Sequence, residues 1–169
     1  IFLPIAIIIT ITASISIILI LPIASNAKWG TYPAMLWARA LCALSLVRVK
    51  VQGNENIDSK ASYILVANHQ SIYDIPLVYG WLNNNFKWIM KKELRRLPVI
   101  GKTCELMGHI FIDRSHPMRA KQSLEAAKKN LKQGESSIFL FPEGTRTHNG
   151  KIQRFKRGAF TIARDLHLP

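Results

Sequence analysis

Four short, mainly apolar runs, at 63–67, 86–90, 109–112 and 137–141, constrain this chain more than any other feature, because helical segments lie between them. A run of four or five apolar residues bounded by turn signals reads as a strand buried on both faces. Strands alternating with helices specify an α/β fold. The expected architecture is a central mixed sheet flanked by helices. Polar residues follow the strand ends, where ligands of open α/β sheets bind.

The run at 63–67 leads into Asn68-His69-Gln70-Ser71-Ile72-Tyr73-Asp74, which puts a histidine where a buried strand leaves the core. If the chain turns into a helix near Ser71, Asp74 falls in the first helical turn and its carboxylate can swing back to the imidazole. A carboxylate so placed accepts the N–H of one ring nitrogen, fixes the tautomer and leaves the other nitrogen to take a proton from a hydroxyl. His69 is then a base and Asp74 its orienter. The alternative open at this point is a loop histidine followed by an aspartate that satisfies free amides at a helix start.

The run at 137–141 ends in Pro142-Glu143-Gly144-Thr145-Arg146, and the run at 109–112 ends in Asp113-Arg114. Gly144 lets the backbone approach a ligand closely or take a positive φ, and the amides near it can face an oxyanion or a phosphate. Arg146 adds a planar fork of donors matched to phosphate. Glu143 is either an acceptor for substrate hydroxyls or a brace for the loop. Thr145 lies in the same turn, and a surface turn with a solvated arginine is the alternative open at this point.

Together, NHQSIYD at 68–74, FIDR at 111–114 and FPEGTR at 141–146 resemble the first three blocks of the glycerophospholipid acyltransferases, whose bacterial members make phosphatidic acid. The resemblance runs from about residue 48 to the end. It implies transfer of a fatty acyl group from acyl-CoA or acyl carrier protein to the free hydroxyl of lysophosphatidic acid (1-acylglycerol 3-phosphate). In that scheme His69 is the general base, Asp74 its orienter, and no cofactor takes part. The resemblance also implies a lysine shortly after a strand that reaches the acceptor phosphate. Lys91 and Lys92 both qualify by position, Lys92 being preferred, and Arg114 is the next cation that a strand end points toward the same edge. Glycerol 3-phosphate and other lysophospholipids are alternative acceptors, and a non-catalytic protein that binds anionic membranes is the alternative of a different class. Relatives continue into a fourth block, so the chain is expected to be C-terminally truncated.

A length of 169 residues, 49% of them apolar, suffices for one domain with a core and is too short for two. The formal charge of +13 calls for an anionic partner: nucleic acid, anionic lipid or a phosphorylated substrate. Residues 1–27 carry no charged side chain, which favours a membrane surface, and no nucleic-acid motif accompanies the charge. Cys42 and Cys104 lack the spacing of a metal site or a disulfide framework and read as packing residues. His109, His116, His148 and His167 show no paired ligand spacing, so no metal is expected.

Residues 1–24 form an uninterrupted apolar segment that, at about 1.5 Å rise per residue, reaches across most of a bilayer, although Pro4 and Pro22 trim its regular part. A full span and a shallower insertion are both open. A cleaved signal peptide is the rival reading, and the absence of an initial Met places the expected N-terminus upstream. Residues 29–47 make a second apolar segment, with Trp29, Tyr32 and Trp37 near one end and Arg39 inside it, the composition of a helix at headgroup depth. Residues 1–46 are therefore expected as two membrane-associating helices. Residues 47–169 are expected as the catalytic domain, opening with a half-exposed strand at 47–51. Lys28, Arg39, Arg48 and Lys50 place that domain on the cytoplasmic side of the inner membrane. The cluster of Lys91, Lys92, Arg95 and Arg96 suits anionic headgroups, a plain solvated helix face being the alternative left open. A helix is expected over 117–133, with Ala120, Leu124, Ala127 and Leu131 as its apolar stripe.

Overall fold

The computed structural model describes residues 2–24, 28–113, 115, 117–128, 136–147 and 149–169. Arg114, expected in the site, lies outside the described residues, as does the expected end of the helix near 133. The chain divides into two compact units. One comprises Ile1–Asn56, Tyr73–Asn83 and Glu93–Gly108, and the other Ile57–Ile72, Asn84–Lys92 and His109–Pro169.

The first unit is helical. It holds α1 (Phe2–Ile20) and α2 (Lys28–Leu44), which realise the two expected apolar helices, together with α3 (Asp74–Trp81) and α4 (Ile100–Leu106). Because α1 carries isoleucine or leucine on every face, packing cannot bury them all. Ile17 joins a core with Ala34 and Met107, while Leu3, Ile8 and Leu19 are exposed. The indole N–H of Trp37 donates to Thr10 Oγ1 at 2.9 Å, and Thr103 Oγ1 donates to the Ser14 carbonyl at 3.3 Å, pinning α2 and α4 to α1. Among the described helices, α1 alone is long and apolar enough to cross a membrane, with a mean hydropathy of 2.6. Arg39, the charge inside α2, donates through Nε to the Gly80 carbonyl at 3.0 Å and lies 5.7 Å from the Trp81 ring centroid.

The strand expected at 47–51 does not form. The α2 helix ends in a Schellman motif: the Val47 N–H donates to the Cys42 carbonyl at 2.9 Å and the Leu46 N–H to that of Ala43 at 3.0 Å. Val47 thus leaves the helix as part of its cap, and the segment beyond it has no ladder partner among the described strands. Leu46 takes the left-handed position of the motif, at φ 57°.

The second unit contains the sheet. Its strands are β1 (Ile64–Val66), β2 (Phe86–Lys91), β3 (Ile110–Ile112) and β4 (Ser137–Leu140), in spatial order β1-β4-β2-β3. The sheet expected as mixed is parallel across these four strands. Long connections carrying a helix separate successive strands, and no tight hairpin sets two of them antiparallel. β4 is central and buried along its whole length. Ile138 and Leu140 pack with Ile89, Ile110 and Ile112, and with Ala159 and Ile162 of α6 (Gly158–Leu166). Ala120 of α5 (Pro117–Lys128) packs against the same core. Strands covered on both faces favour apolar residues at successive positions, which is why the runs are nearly continuous instead of alternating, with Lys87 and Ser137 as polar members.

His109 belongs to this interior. Its Nδ1 accepts the backbone N–H of Trp88 at 3.2 Å, which leaves the ring proton of the neutral form on Nε2. Burial first, and the charge of Lys87 second, push its pKa down to about 3. On the other flank of β2 and β4, the rings of Phe86, Trp88, Phe139 and Phe141 form a continuous aromatic cluster. That cluster ends at the site.

Candidate active site

Because the strands all run in one direction, their C-terminal ends lie along a single edge of the sheet, where open α/β sheets bind ligands. His69 follows β1, the segment 141–146 follows β4, Lys92 follows β2 and Asp113 follows β3. The strand order sets the histidine beside the glycine turn, with the lysine and the aspartate in succession beyond it.

His69 is held by its main chain. Its N–H donates to Glu143 Oε1 at 2.7 Å and its carbonyl accepts the Thr147 N–H at 3.0 Å. The imidazole stacks on Phe141, with centroids 3.9 Å apart and planes 7° from parallel. Glu143 is only 2% exposed, and its second oxygen accepts the Gln153 N–H at 2.9 Å. One buried carboxylate therefore fastens the segment after β1 and the segment leading to α6 onto the turn after β4. Charge-assisted bonds of this kind are about twice as strong as neutral ones. Of the two roles open for Glu143 in the sequence, its contacts are those of the brace.

Gly144 has φ 78°, and its N–H closes the turn on the Phe141 carbonyl at 3.0 Å. A Cβ there would stand 2.5 Å from Lys156 Nζ and 3.1 Å from its Cε, so the glycine makes room for an ammonium as well as for the turn. Lys156 is placed by its own backbone, whose N–H donates to the Pro142 carbonyl at 2.9 Å. Thr145 and Arg146 are exposed on the same turn, and Thr147, just beyond, is buried with its hydroxyl bonded to Asn149 Oδ1 at 2.8 Å.

Farther along the edge, Lys92 Nζ donates to Asp113 Oδ2 at 2.6 Å, and Arg119 lies 3.8 Å from the same oxygen. Asp113 Oδ1 accepts the Ser115 N–H at 3.0 Å and its hydroxyl at 2.5 Å. The Lys92 bond, followed by those from Ser115, holds the Asp113 carboxyl well below the usual carboxylate range. The lysine preferred in the sequence is thus oriented by an aspartate from the neighbouring strand, whereas Lys91, the last residue of β2, is exposed.

Asp74 opens α3 and so occupies the first helical turn, as the sequence spacing predicts. It belongs to the helical unit, whereas His69, Lys92 and the glycine turn belong to the sheet unit. Sequence reasoning gave no role to Asp113 or Lys156. The first was visible as the carboxylate of FIDR and the second as a lysine in the basic stretch 154–157, but nothing local marks which cation each one meets or which turn it covers. Among the described residues, no three or more His, Cys, Asp or Glu side chains are grouped so as to hold a metal ion.

Residues 48–169 match the family model described as Acyltransferase. The chain belongs to the acyltransferase family. Among its relatives, the chloroplastic 1-acyl-sn-glycerol-3-phosphate acyltransferase LPAT1 of Arabidopsis thaliana is 35% identical over 137 residues, 80% of this chain and 38% of the relative. The 1-acyl-sn-glycerol-3-phosphate acyltransferase of Saccharomyces cerevisiae is 30% identical over 91% of this chain and 57% of its own length. The human 1-acyl-sn-glycerol-3-phosphate acyltransferase alpha is 36% identical over 73% of this chain and 44% of its own length. This acyltransferase chain thus spans between 38% and 57% of these relatives. The crystal structure of the 1-acyl-sn-glycerophosphate (LPA) acyltransferase PlsC from Thermotoga maritima superposes with a TM-score of 0.74 at 29% identity, covering 90% of this chain and 62% of that one. The α/β fold with its parallel four-stranded sheet and apolar N-terminal helix is the fold of that acyltransferase.

Proposed function

We propose that this acyltransferase moves a fatty acyl group from acyl-CoA or acyl carrier protein to the free hydroxyl of 1-acylglycerol 3-phosphate, giving phosphatidic acid. The observation that carries the reading is the bond by which Glu143, in the turn that bears Gly144 and Arg146, holds the backbone of His69, its other oxygen holding that of Gln153. In this scheme His69 takes the hydroxyl proton while the oxygen attacks the thioester carbonyl. An ester C–O bond forms, the C–S bond breaks, and the proton leaves with the thiol. Asp74 orients the imidazole, and Glu143 acts through the backbone it fixes. Arg146, Thr145 and the amides around Gly144 receive the acceptor phosphate, with Lys92 and Arg114 contributing from the neighbouring strand ends. Binding at the phosphate then positions the hydroxyl over the base. Residues 1–46 attach the protein to an anionic inner membrane and residues 47–169 form the catalytic domain on its cytoplasmic side, the apolar surface of α1 and the positive residues that follow it supporting that placement.

The test is a steady-state assay of the protein in detergent micelles with lysophosphatidate and acyl-CoA. His69→Ala should abolish turnover, and Arg146→Ala should raise the acceptor KM while largely sparing kcat. Equal rates with lysophosphatidylcholine would refute the phosphate clamp, and full activity in His69→Ala would remove the base.

A further inference from the structure

Between Gly144 and Ala163 the chain carries Arg146, Lys151, Arg154, Lys156 and Arg157, and no Asp or Glu. These cations alternate with large apolar side chains turned to solvent: Ile152 is 64% exposed, Phe155 37% and Phe160 62%. The helix that ends this stretch has two distinct faces. Ala159 and Ile162 of α6 enter the core, while Arg157 and Phe160, three apart, share the outer face with Arg164 one turn on. Arg164 is engaged by its neighbour Asp165 at 3.1 Å, but the described salt bridges include none to Arg154, Lys156 or Arg157.

Exposed phenylalanine and isoleucine interleaved with arginine and lysine that take no ion pair among the described residues are costly in bulk water and well matched to one environment. At the surface of an anionic bilayer the rings sit at the acyl boundary while the cations meet phosphate. An acidic protein surface would satisfy the charges but would not by itself call for three large apolar side chains spread between them. We propose that residues 151–160, with the outer face of α6, form a second membrane contact built into the sheet unit, docking it on anionic lipid independently of the apolar helix α1. The proposal rests on the reading that the acceptor is a membrane lipid, and it deepens that reading. The contact begins five residues after Arg146 in the chain, so the turn proposed to take the acceptor phosphate is followed directly by the segment that meets the headgroup layer.

The test places an environment-sensitive fluorophore on Phe160→Cys in the otherwise intact protein, with Cys42 and Cys104 replaced by alanine, and a second label on Leu19→Cys in α1. With vesicles of phosphatidylglycerol and phosphatidylcholine, the Phe160 label should shift to the blue and be quenched by doxyl lipids. Vesicles of phosphatidylcholine alone should leave it water-like. A Phe160 label that stays water-like while the Leu19 label reports bound protein overturns the proposal, as does a shift produced by coenzyme A or an acidic carrier protein instead of vesicles. As a second measurement, Arg154→Gln with Arg157→Gln should weaken partitioning to anionic vesicles by on the order of tenfold, with turnover of detergent-dispersed lysophosphatidate retained. Loss of that detergent activity would assign the two arginines to the acceptor site and overturn the proposal. Absence of all turnover in the unsubstituted protein would count against the proposed reaction and leave the vesicle results to be judged separately.

Discussion

The buried carboxylate of Glu143 holds the main chain of His69, through a 2.7 Å bond from its N–H, and so fixes the histidine by its backbone. Glu143→Gln keeps the volume and one acceptor oxygen but turns an NH2 group toward a backbone N–H. The expected outcome is a kcat lower by roughly 100-fold, the scale of a small misplacement of a reacting group, with the acceptor KM little changed. Glu143→Ala should in addition lose about 1–3 kcal/mol in urea unfolding, since two part-buried backbone amides lose their charged acceptor. An undiminished kcat in the glutamine variant would show that His69 needs no such support.

The space above Gly144 is filled by the Lys156 ammonium, so Gly144→Ala combines a left-handed backbone with a side-chain collision. The backbone part alone should cost roughly 1–2 kcal/mol. Lys156→Met with its shorter, neutral end should remove part of the collision. The double variant is then expected to be less damaged than the sum of the single ones, and strict additivity in a double-mutant cycle would contradict the contact.

His109 gives the fold an acid-side weakness. Its folded pKa is depressed to about 3, so below the ordinary histidine value the unfolded chain binds a proton that the folded one does not. Stability from this group is therefore complete above about pH 6.5 and falls by about 1.4 kcal/mol per pH unit down to about pH 3. Urea midpoints at pH 7, 5 and 4 should show that decline, and His109→Asn, which keeps an acceptor for the Trp88 N–H, should flatten it.

Leu46 occupies the left-handed position of the Schellman motif that closes α2, with 89% of its surface exposed. Glycine is unstrained in that position, and no buried contact is lost with the leucine. Leu46→Gly should raise stability by about 1 kcal/mol, the left-handed strain relieved less the added entropy of the unfolded chain. A loss of stability would mean that the leucine makes an unrecognised contact.

The strand ends were legible in the sequence because a sheet covered on both faces writes continuous apolar runs, and the break in each run marks where the edge begins. That is enough to draw His69, Lys92, Asp113 and the Gly144 turn to one side of one sheet. Residues 47–51 misled because Val-Arg-Val-Lys-Val alternates as a half-buried strand does, yet the same pattern serves an extended segment leaving a helix cap. The continuous runs and helix-bearing connections already mark parallel pairing, whereas the spatial order of the strands leaves no mark along the chain. The brace was hidden for a related reason: Glu143 reaches backbone amides, which every residue other than proline possesses, so no side chain announces the bond. The short α4 follows Pro98 with too few turns to develop a visible period.

The pairing of β1 with β4, and not with the strand that follows it, sets a timetable. The bond from His69 to Glu143 closes a loop of 74 residues, whereas β2 and β3 are neighbours in both chain and space. During synthesis β2 and β3 can therefore join early, while Ile64–Val66 waits as an unclaimed ribbon until Ser137–Leu140 emerges. The histidine gains its backbone support in that last closure, so a polypeptide interrupted before it would possess the residue without the carboxylate that holds it.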